Sequence, residues 1–233
     1  MVELKEIRVK LDQLTEVTIS ALKDRSRFKA NDSIYIADAV TIKNRSGISF
    51  LEFALERLEV YHASLGRFNY PDQHPLFKRR LAKSPVNRVV PESGVADFGI
   101  VIKEELINFY RSIPAQLCEA GEDPTTYGQA ASKDAEILEL MNERITGVGL
   151  FVAQSKAQNN PELPKISQNP QLLRQSLRDS SREDLVILKA RNTAAKYELS
   201  PNLIESVFRW LIEKTVDVEV AYIQNLWGLG KKS

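Results

Sequence analysis

Apolar residues recur every three or four positions along most of the chain, and this pattern predicts one helix after another. Leu4, Ile7, Leu11, Leu14 and Thr18 fall on a single face, which Ala21 and Leu22 extend, while charged residues fill the positions between. Residues 31–48 are rich in Asn, Asp, Ser and Gly and predict a loop. Ser49-Phe-Leu-Glu52 has the form of a capping box, in which serine and glutamate each satisfy a backbone N–H of the first turn. The helix it opens runs to about residue 65, with Leu51, Leu55, Leu58 and His62 along one face. Gly66 and Pro71 end it.

Residues 69–97 carry Pro71, Pro75, Pro85 and Pro91 and predict a long irregular connection, a feature that is usually functional or disordered. Helix resumes over 99–118 and breaks at Gly121, Pro124 and Gly128. Ser132 is the expected cap of a long helix, with Asp134 and Glu136 in its first turn and Ile137, Met141, Ile145, Val148 and Val152 as its stripe. A proline-containing loop follows over 159–170, then a helix over 171–192. Ser200-Pro201 supplies a cap and a first-position proline for a final helix reaching about Leu226, with Ile204, Phe208, Leu211, Thr215, Val218 and Tyr222 on one side. Only Val89-Val90 and Gly99-Ile-Val-Ile102 hint at strand. The expectation is an all-α, single-domain multi-helix bundle over residues 1–233.

Composition narrows the function classes. Lys and Arg total 32 against 31 Asp and Glu, so nothing marks a nucleic-acid or membrane-surface protein. No apolar run is long enough for a membrane span, and the charged N-terminal stretch does not read as a signal peptide. Cys118 stands alone, which suits a reducing compartment and a structural role; a cytoplasmic protein is expected. His62 and His74 have no metal-ligand spacing, and there is no glycine-rich phosphate loop or Ser/His/Asp arrangement. Neither a metal nor another cofactor is expected.

Several helices carry polar residues beside their apolar stripes. Arg8 follows Ile7; Arg144 and Lys156 share the long helix; Asp179 and Glu183, and again Thr215 and Glu219, are four residues apart and so share a face. Periodicity alone does not distinguish any of these from an ordinary solvated surface.

The blocks around them are more specific. Ser49-Phe-Leu-Glu-Phe-Ala-Leu55, followed by Leu58-Glu59, His62, Arg67-Phe68 and Pro71-Asp72…Pro75-Leu-Phe77, resembles the all-helical chorismate mutases of fungi and plants. So do Tyr127-Gly128…Ala131-Ser132-Lys-Asp134, Arg144-Ile145, Phe151-Val-Ala-Gln-Ser-Lys156 and Thr215-Val-Asp-Val-Glu-Val220 with Tyr222; Ile7-Arg8…Asp24-Arg-Ser-Arg-Phe28 looks like the family's first helix. The resemblance runs from about residue 3 to 226. It implies a homodimer that isomerises chorismate to prephenate in aromatic amino acid biosynthesis. On this resemblance Arg8 and Arg144 grip the substrate's carboxylates, for which the guanidinium fork is suited. Lys156 reaches the carboxylate and ether-oxygen region. Glu183 binds the ring hydroxyl, and Thr215 and Glu219 match the last helix's threonine and glutamate, with Glu219 facing the ether oxygen. Asp179 stands where fungal members carry Asn and bacterial relatives Asp.

The chemistry accounts for such a set. A [3,3] rearrangement needs no nucleophile, base or metal, only a reactive conformer held in place and preorganised donors where charge grows on the breaking ether oxygen. Lys156 donates directly; Glu219 donates only if protonated, which burial favours.

Two departures from the family carry consequences. Arg144 and Lys156 are twelve residues apart where the family has eleven, and the extra residue turns one about 100° from the other unless the glycines of Thr146-Gly-Val-Gly149 permit a bulge. A helical homologue that has lost the reaction and serves as a binding or regulatory partner is the rival expectation if they do not. Regulated fungal members also bind an aromatic amino acid at the dimer interface through adjacent arginines. Here those positions read Gly66-Arg67, and Arg67, Gly128 and Ser132 are the implied effector-binding residues.

Overall fold

The computed structural model describes residues 4–70, 73–77, 81–86, 89 and 94–227. Its helices are α1 (Leu4–Arg25), α2 (Phe50–Ser64), α3 (Lys103–Tyr110), α4 (Pro114–Leu117), α5 (Tyr127–Asn142), α6 (Gly149–Asn159), α7 (Leu163–Ile166), α8 (Pro170–Leu177), α9 (Ser180–Lys196) and α10 (Pro201–Trp227). Short 3-10 helices cover Asp32–Tyr35, Arg67–Asn69 and Pro124–Thr126. Among the described residues the only β pairing consists of the isolated bridges Lys29–Glu119 and Ile42–Arg45, so the chain is all-α; no helix there is long and apolar enough to cross a membrane.

The capping box at α2 forms on both sides. Ser49 Oγ accepts from the Glu52 N–H at 3.2 Å, and Glu52 Oε2 accepts from the Ser49 N–H at 3.1 Å. These bonds hold the Glu52 carboxyl below its ordinary pKa although burial opposes them. Leu203 N–H donates to Ser200 Oγ at 3.4 Å at the start of α10, with Pro201 the first helical residue. Ile7, Leu14, Thr18, Ala21 and Leu22 are buried as one stripe of α1.

Three boundaries differ from expectation. The helix expected to start at Ser132 begins at Tyr127, and Ser132 sits inside it with Oγ bonded to the Gly128 carbonyl at 2.7 Å. A serine hydroxyl makes that bond in a helix interior as readily as it caps an end. Asp134 is accordingly not a first-turn acid but a fully buried one. The Arg25 guanidinium donates to its Oδ1 at 2.6 Å, and Tyr110 and Tyr35 donate to it at 2.6 and 2.7 Å. The helix expected over 171–192 is two, because Arg178 is extended and Asp179 opens α9 as its cap. The helix expected over 99–118 is α3 and α4; Gly99–Ile102 is irregular rather than helix or strand, and Pro114 opens α4.

Most of the apolar core is one cluster running from Ile19 to Ile223. A smaller cluster of Ile7, Leu14 and Val148, with Leu11, Leu140, Phe151 and Val152 packed against it, joins α1 to the long central helix. α10 packs on α6, α8 and α9; α2 packs on α5. The described part of 69–97 has no regular structure beyond Arg67–Asn69, and the buried Glu59 carboxylate anchors it by accepting from the Leu76 and Phe77 N–H groups. Pro71, Asp72, Val90 and Pro91 lie outside the described residues.

Candidate active site

Between α5 and α6 the chain forms a π turn over Glu143–Val148. A π turn takes one residue more than an α-turn, so it absorbs the extra residue between Arg144 and Lys156. Both side chains consequently line one cavity of about 120 Å³, together with Asp179, Glu183, Thr215 and Glu219. Gly149 closes the turn. A Cβ there would lie 3.2 Å from Thr215 Cγ2 and 3.5 Å from the Arg144 carbonyl, so the missing side chain lets α10 approach.

Arg144 is 4% exposed. Its Nη1 donates to the Leu11 carbonyl at 3.0 Å and to Thr15 Oγ1 at 3.2 Å, both on α1, and its guanidinium lies 5.4 Å from the centre of the Phe208 ring. Among the described residues no carboxylate pairs with it directly. Burial pulls its pKa down to about 10, with the nearby Arg182 charge adding to the shift and Asp12 opposing it. It therefore remains a cation at neutral pH. A buried cation without a bonded anion is costly, and an anion entering the cavity would relieve that cost.

Lys156 Nζ donates to Glu219 Oε2 at 2.7 Å and to the Leu177 carbonyl at 2.6 Å. Glu219 is 2% exposed, and burial raises its carboxyl pKa; the Lys156 charge opposes the rise and Glu183 reinforces it. Glu183 is held by Arg178, which donates from Nε at 3.2 Å and Nη2 at 2.7 Å. Thr215 Oγ1 donates to the Leu211 carbonyl one turn back. Asp179 lines the cavity with Glu183 but stands just before the helix rather than within it. It caps α9, accepting from the Arg182 N–H at 3.1 Å and Ser181 Oγ at 2.7 Å, and these bonds hold its carboxyl below the usual range.

Arg8 stays outside this group. Ile7 takes the buried position in α1, and Arg8 is exposed and absent from the cavity wall, although its charge helps hold the Asp179 carboxyl down. Sequence reasoning missed Arg182, which lines the cavity and lies 3.6 Å from Asp12. The spacing Asp179, Arg182, Glu183, Val186 follows one helical face and was the available signal.

A second, larger cavity of about 930 Å³ lies elsewhere and gathers Arg67, Gly128 and Ser132 with His62, Lys133, Glu136 and Glu139. Every nitrogen of Arg67 has a partner there: Nε donates to Gln73 Oε1, Nη1 donates to Glu139 Oε2 at 2.9 Å and faces His62 Nδ1, and Nη2 donates to Glu143 Oε2 at 3.0 Å.

The family profile of chorismate mutase type II matches residues 126–220. The chorismate mutase of Saccharomyces cerevisiae is 27% identical over 246 residues, covering 96% of this chain and 94% of that protein. The solved chorismate mutase of Candida albicans, in complex with L-tryptophan, superposes with a TM-score of 0.89 at 27% identity over 96% of this chain and 92% of that one. The chain belongs to the type II chorismate mutases. A further member solved with tyrosine in its allosteric site, AtCM1, gives a TM-score of 0.83 at 27% identity, covering 95% of each chain. Within this chorismate mutase the profile match contains Arg144, Lys156, Asp179, Glu183, Thr215 and Glu219, whereas Arg8 and Arg67 fall outside it.

Proposed function

We propose that this chorismate mutase converts chorismate to prephenate in the small cavity, as an isomerase without a cofactor. The observation that carries the reading is Arg144, a buried guanidinium without a bonded carboxylate among the described residues, in the same cavity as Lys156 and Glu219. In the rearrangement the ether C–O bond breaks as a C–C bond forms, within one cyclic movement of electrons and with no atom gained or lost. Arg144 fixes a substrate carboxylate and so favours the folded reactive conformer. Lys156 donates to the ether oxygen as negative charge grows there, and Glu219, whose carboxyl pKa burial raises, donates beside it in its protonated form. Glu183 takes the ring hydroxyl, with Asp179 and Thr215 completing the wall. Arg8 acts from the rim of α1 on the second carboxylate. An inactive homologue would be the better reading if the extra residue misplaced Lys156, but the π turn absorbs it. Prephenate formation from chorismate, followed in a chelator-containing buffer, tests the proposal. The wild-type chain should turn over, Arg144→Ala should do so roughly 10²-fold less efficiently, and absence of turnover by the wild type would reject it.

The reading extends to assembly. α2 leaves Val60, Tyr61 and Leu65 exposed beside the larger cavity, which supports a homodimer built on α2 and the 121–132 turn. Sedimentation at micromolar concentration should give twice 26.4 kDa, and a monomer alone would contradict it. The larger cavity, with Arg67, Gly128 and Ser132, is proposed for an aromatic amino acid effector, since relatives are solved with tryptophan or with tyrosine in an allosteric site. The whole chain is proposed to act as one domain. The lone Cys118 supports the cytoplasm, although relatives such as the maize protein are named chloroplastic.

A further inference from the structure

The two consecutive residues that open the π turn, Glu143 and Arg144, grip two consecutive residues of α1. Arg144 donates to the Leu11 carbonyl, and Glu143 Oε1 pairs with Lys10 Nζ at 3.2 Å. Glu143 does not line the active cavity. Its other oxygen accepts from Arg67, whose Nη1 also holds Glu139, four residues back on α5. One arginine thus ties the last regular turn of α5 to the first residue of the π turn, and Lys10 ties that residue to α1. Glu143 is 8% exposed, so both pairs are shielded on the carboxylate side, while Lys10 and Arg67 reach solvent at 35% and 25% side-chain exposure.

A π turn is a rare and locally strained solution, and it needs its ends fixed. Nothing in the active cavity fixes it from the Glu143 side; the clamp comes from Lys10 and Arg67. We propose that Glu143 is a positioning residue for Arg144: held between Lys10 and Arg67, it fixes the first residue of the π turn and so sets where the Arg144 guanidinium stands in the small cavity. The proposal rests on the assignment of Arg144 to the substrate's carboxylate.

Glu143→Gln keeps the shape and removes the charge. It should raise KM for chorismate roughly 5- to 50-fold with kcat within about threefold, because Arg144 holds a carboxylate that is present in both ground and transition states. A residue that only supports the fold would lower the melting temperature and leave KM alone. Lys10→Gln breaks the same clamp from its solvent side and carries the test if Glu143→Gln folds poorly. The double variant should be no worse than the more affected single variant, the non-additivity expected of one interaction. A readout independent of turnover is the Arg144 Nε–H resonance in the substrate-free protein, which should shift or broaden in both variants. An unchanged KM together with an unchanged Arg144 resonance overturns the proposal. A shifted resonance in a protein that does not act on chorismate leaves the positioning intact and rejects the catalytic reading instead.

Discussion

Arg144 and Arg67 stand beside different cavities in opposite surroundings. Among the described residues Arg144 is bonded only to neutral oxygens of α1 and faces an aromatic ring, whereas each nitrogen of Arg67 meets a glutamate, a glutamine or a histidine. The residue type is the same, so the charge does not distinguish an arginine that awaits an anion from one that already has its carboxylates. The difference is whether the fold already supplies the anion. Burial penalises Arg144 and drives its pKa toward about 10, a cost that makes sense where an incoming carboxylate offsets it. At Arg67 the protein's own carboxylates occupy that place.

The sharpest way to break the contrast is to rotate one cavity wall. One alanine inserted between Gly149 and Leu150 turns Lys156 about 100° away from Arg144 and should lower kcat/KM by at least about 10²-fold, measured by prephenate formation. Deleting Gly147 instead removes the extra residue and should leave activity within a few-fold, since a regular helix then gives the same alignment. Next in size, Arg144→Ala should cost roughly 10²-fold in kcat/KM, the scale of one lost preorganised charge contact. Arg67→Ala should behave differently. It leaves Glu139 and Glu143 with fewer partners and should destabilise the fold by about 1–3 kcal/mol in urea titration, while activity changes only several-fold and through KM. The smallest effect belongs to a region remote from both arginines. Ser49→Ala removes the cap of α2 and should cost about 1 kcal/mol, a fall in Tm of about 2–4 °C, with kcat unchanged.

The sequence made some of this legible. The Ser49–Glu52 box and the Ser200-Pro201 start of α10 were readable because each uses a local bond pattern complete within four residues. The π turn was readable as a need, from the count between Arg144 and Lys156 and the glycines there, although not as a particular geometry. Ser132 misled because a serine hydroxyl bonds equally well to a carbonyl one turn back. The break at Arg178-Asp179 was hidden because Asp is acceptable both inside a helix and as its cap. Convergence of α6, α9, α10 and the π turn on one cavity depends on long-range packing, which periodicity does not encode. Only the family resemblance pointed to it. That resemblance did not supply Arg182, and Arg8, although close enough for its charge to act on Asp179, is exposed and absent from the cavity wall.

The account stands on catalysis in the small cavity by the protonated form of a buried Glu219 beside Lys156. Burial raises the Glu219 carboxyl pKa against the pull of Lys156, so the donating form is present below that raised pKa and is lost as pH rises through it. Wild type should therefore form prephenate with a rate that falls on the alkaline side. Glu219→Gln supplies an amide donor that does not titrate, so its alkaline loss should shrink. The decisive measurement is the pH–rate profile of prephenate formation for the two proteins side by side: a flatter alkaline limb in Glu219→Gln is predicted, and identical profiles, or no turnover by wild type at any pH, would contradict the account.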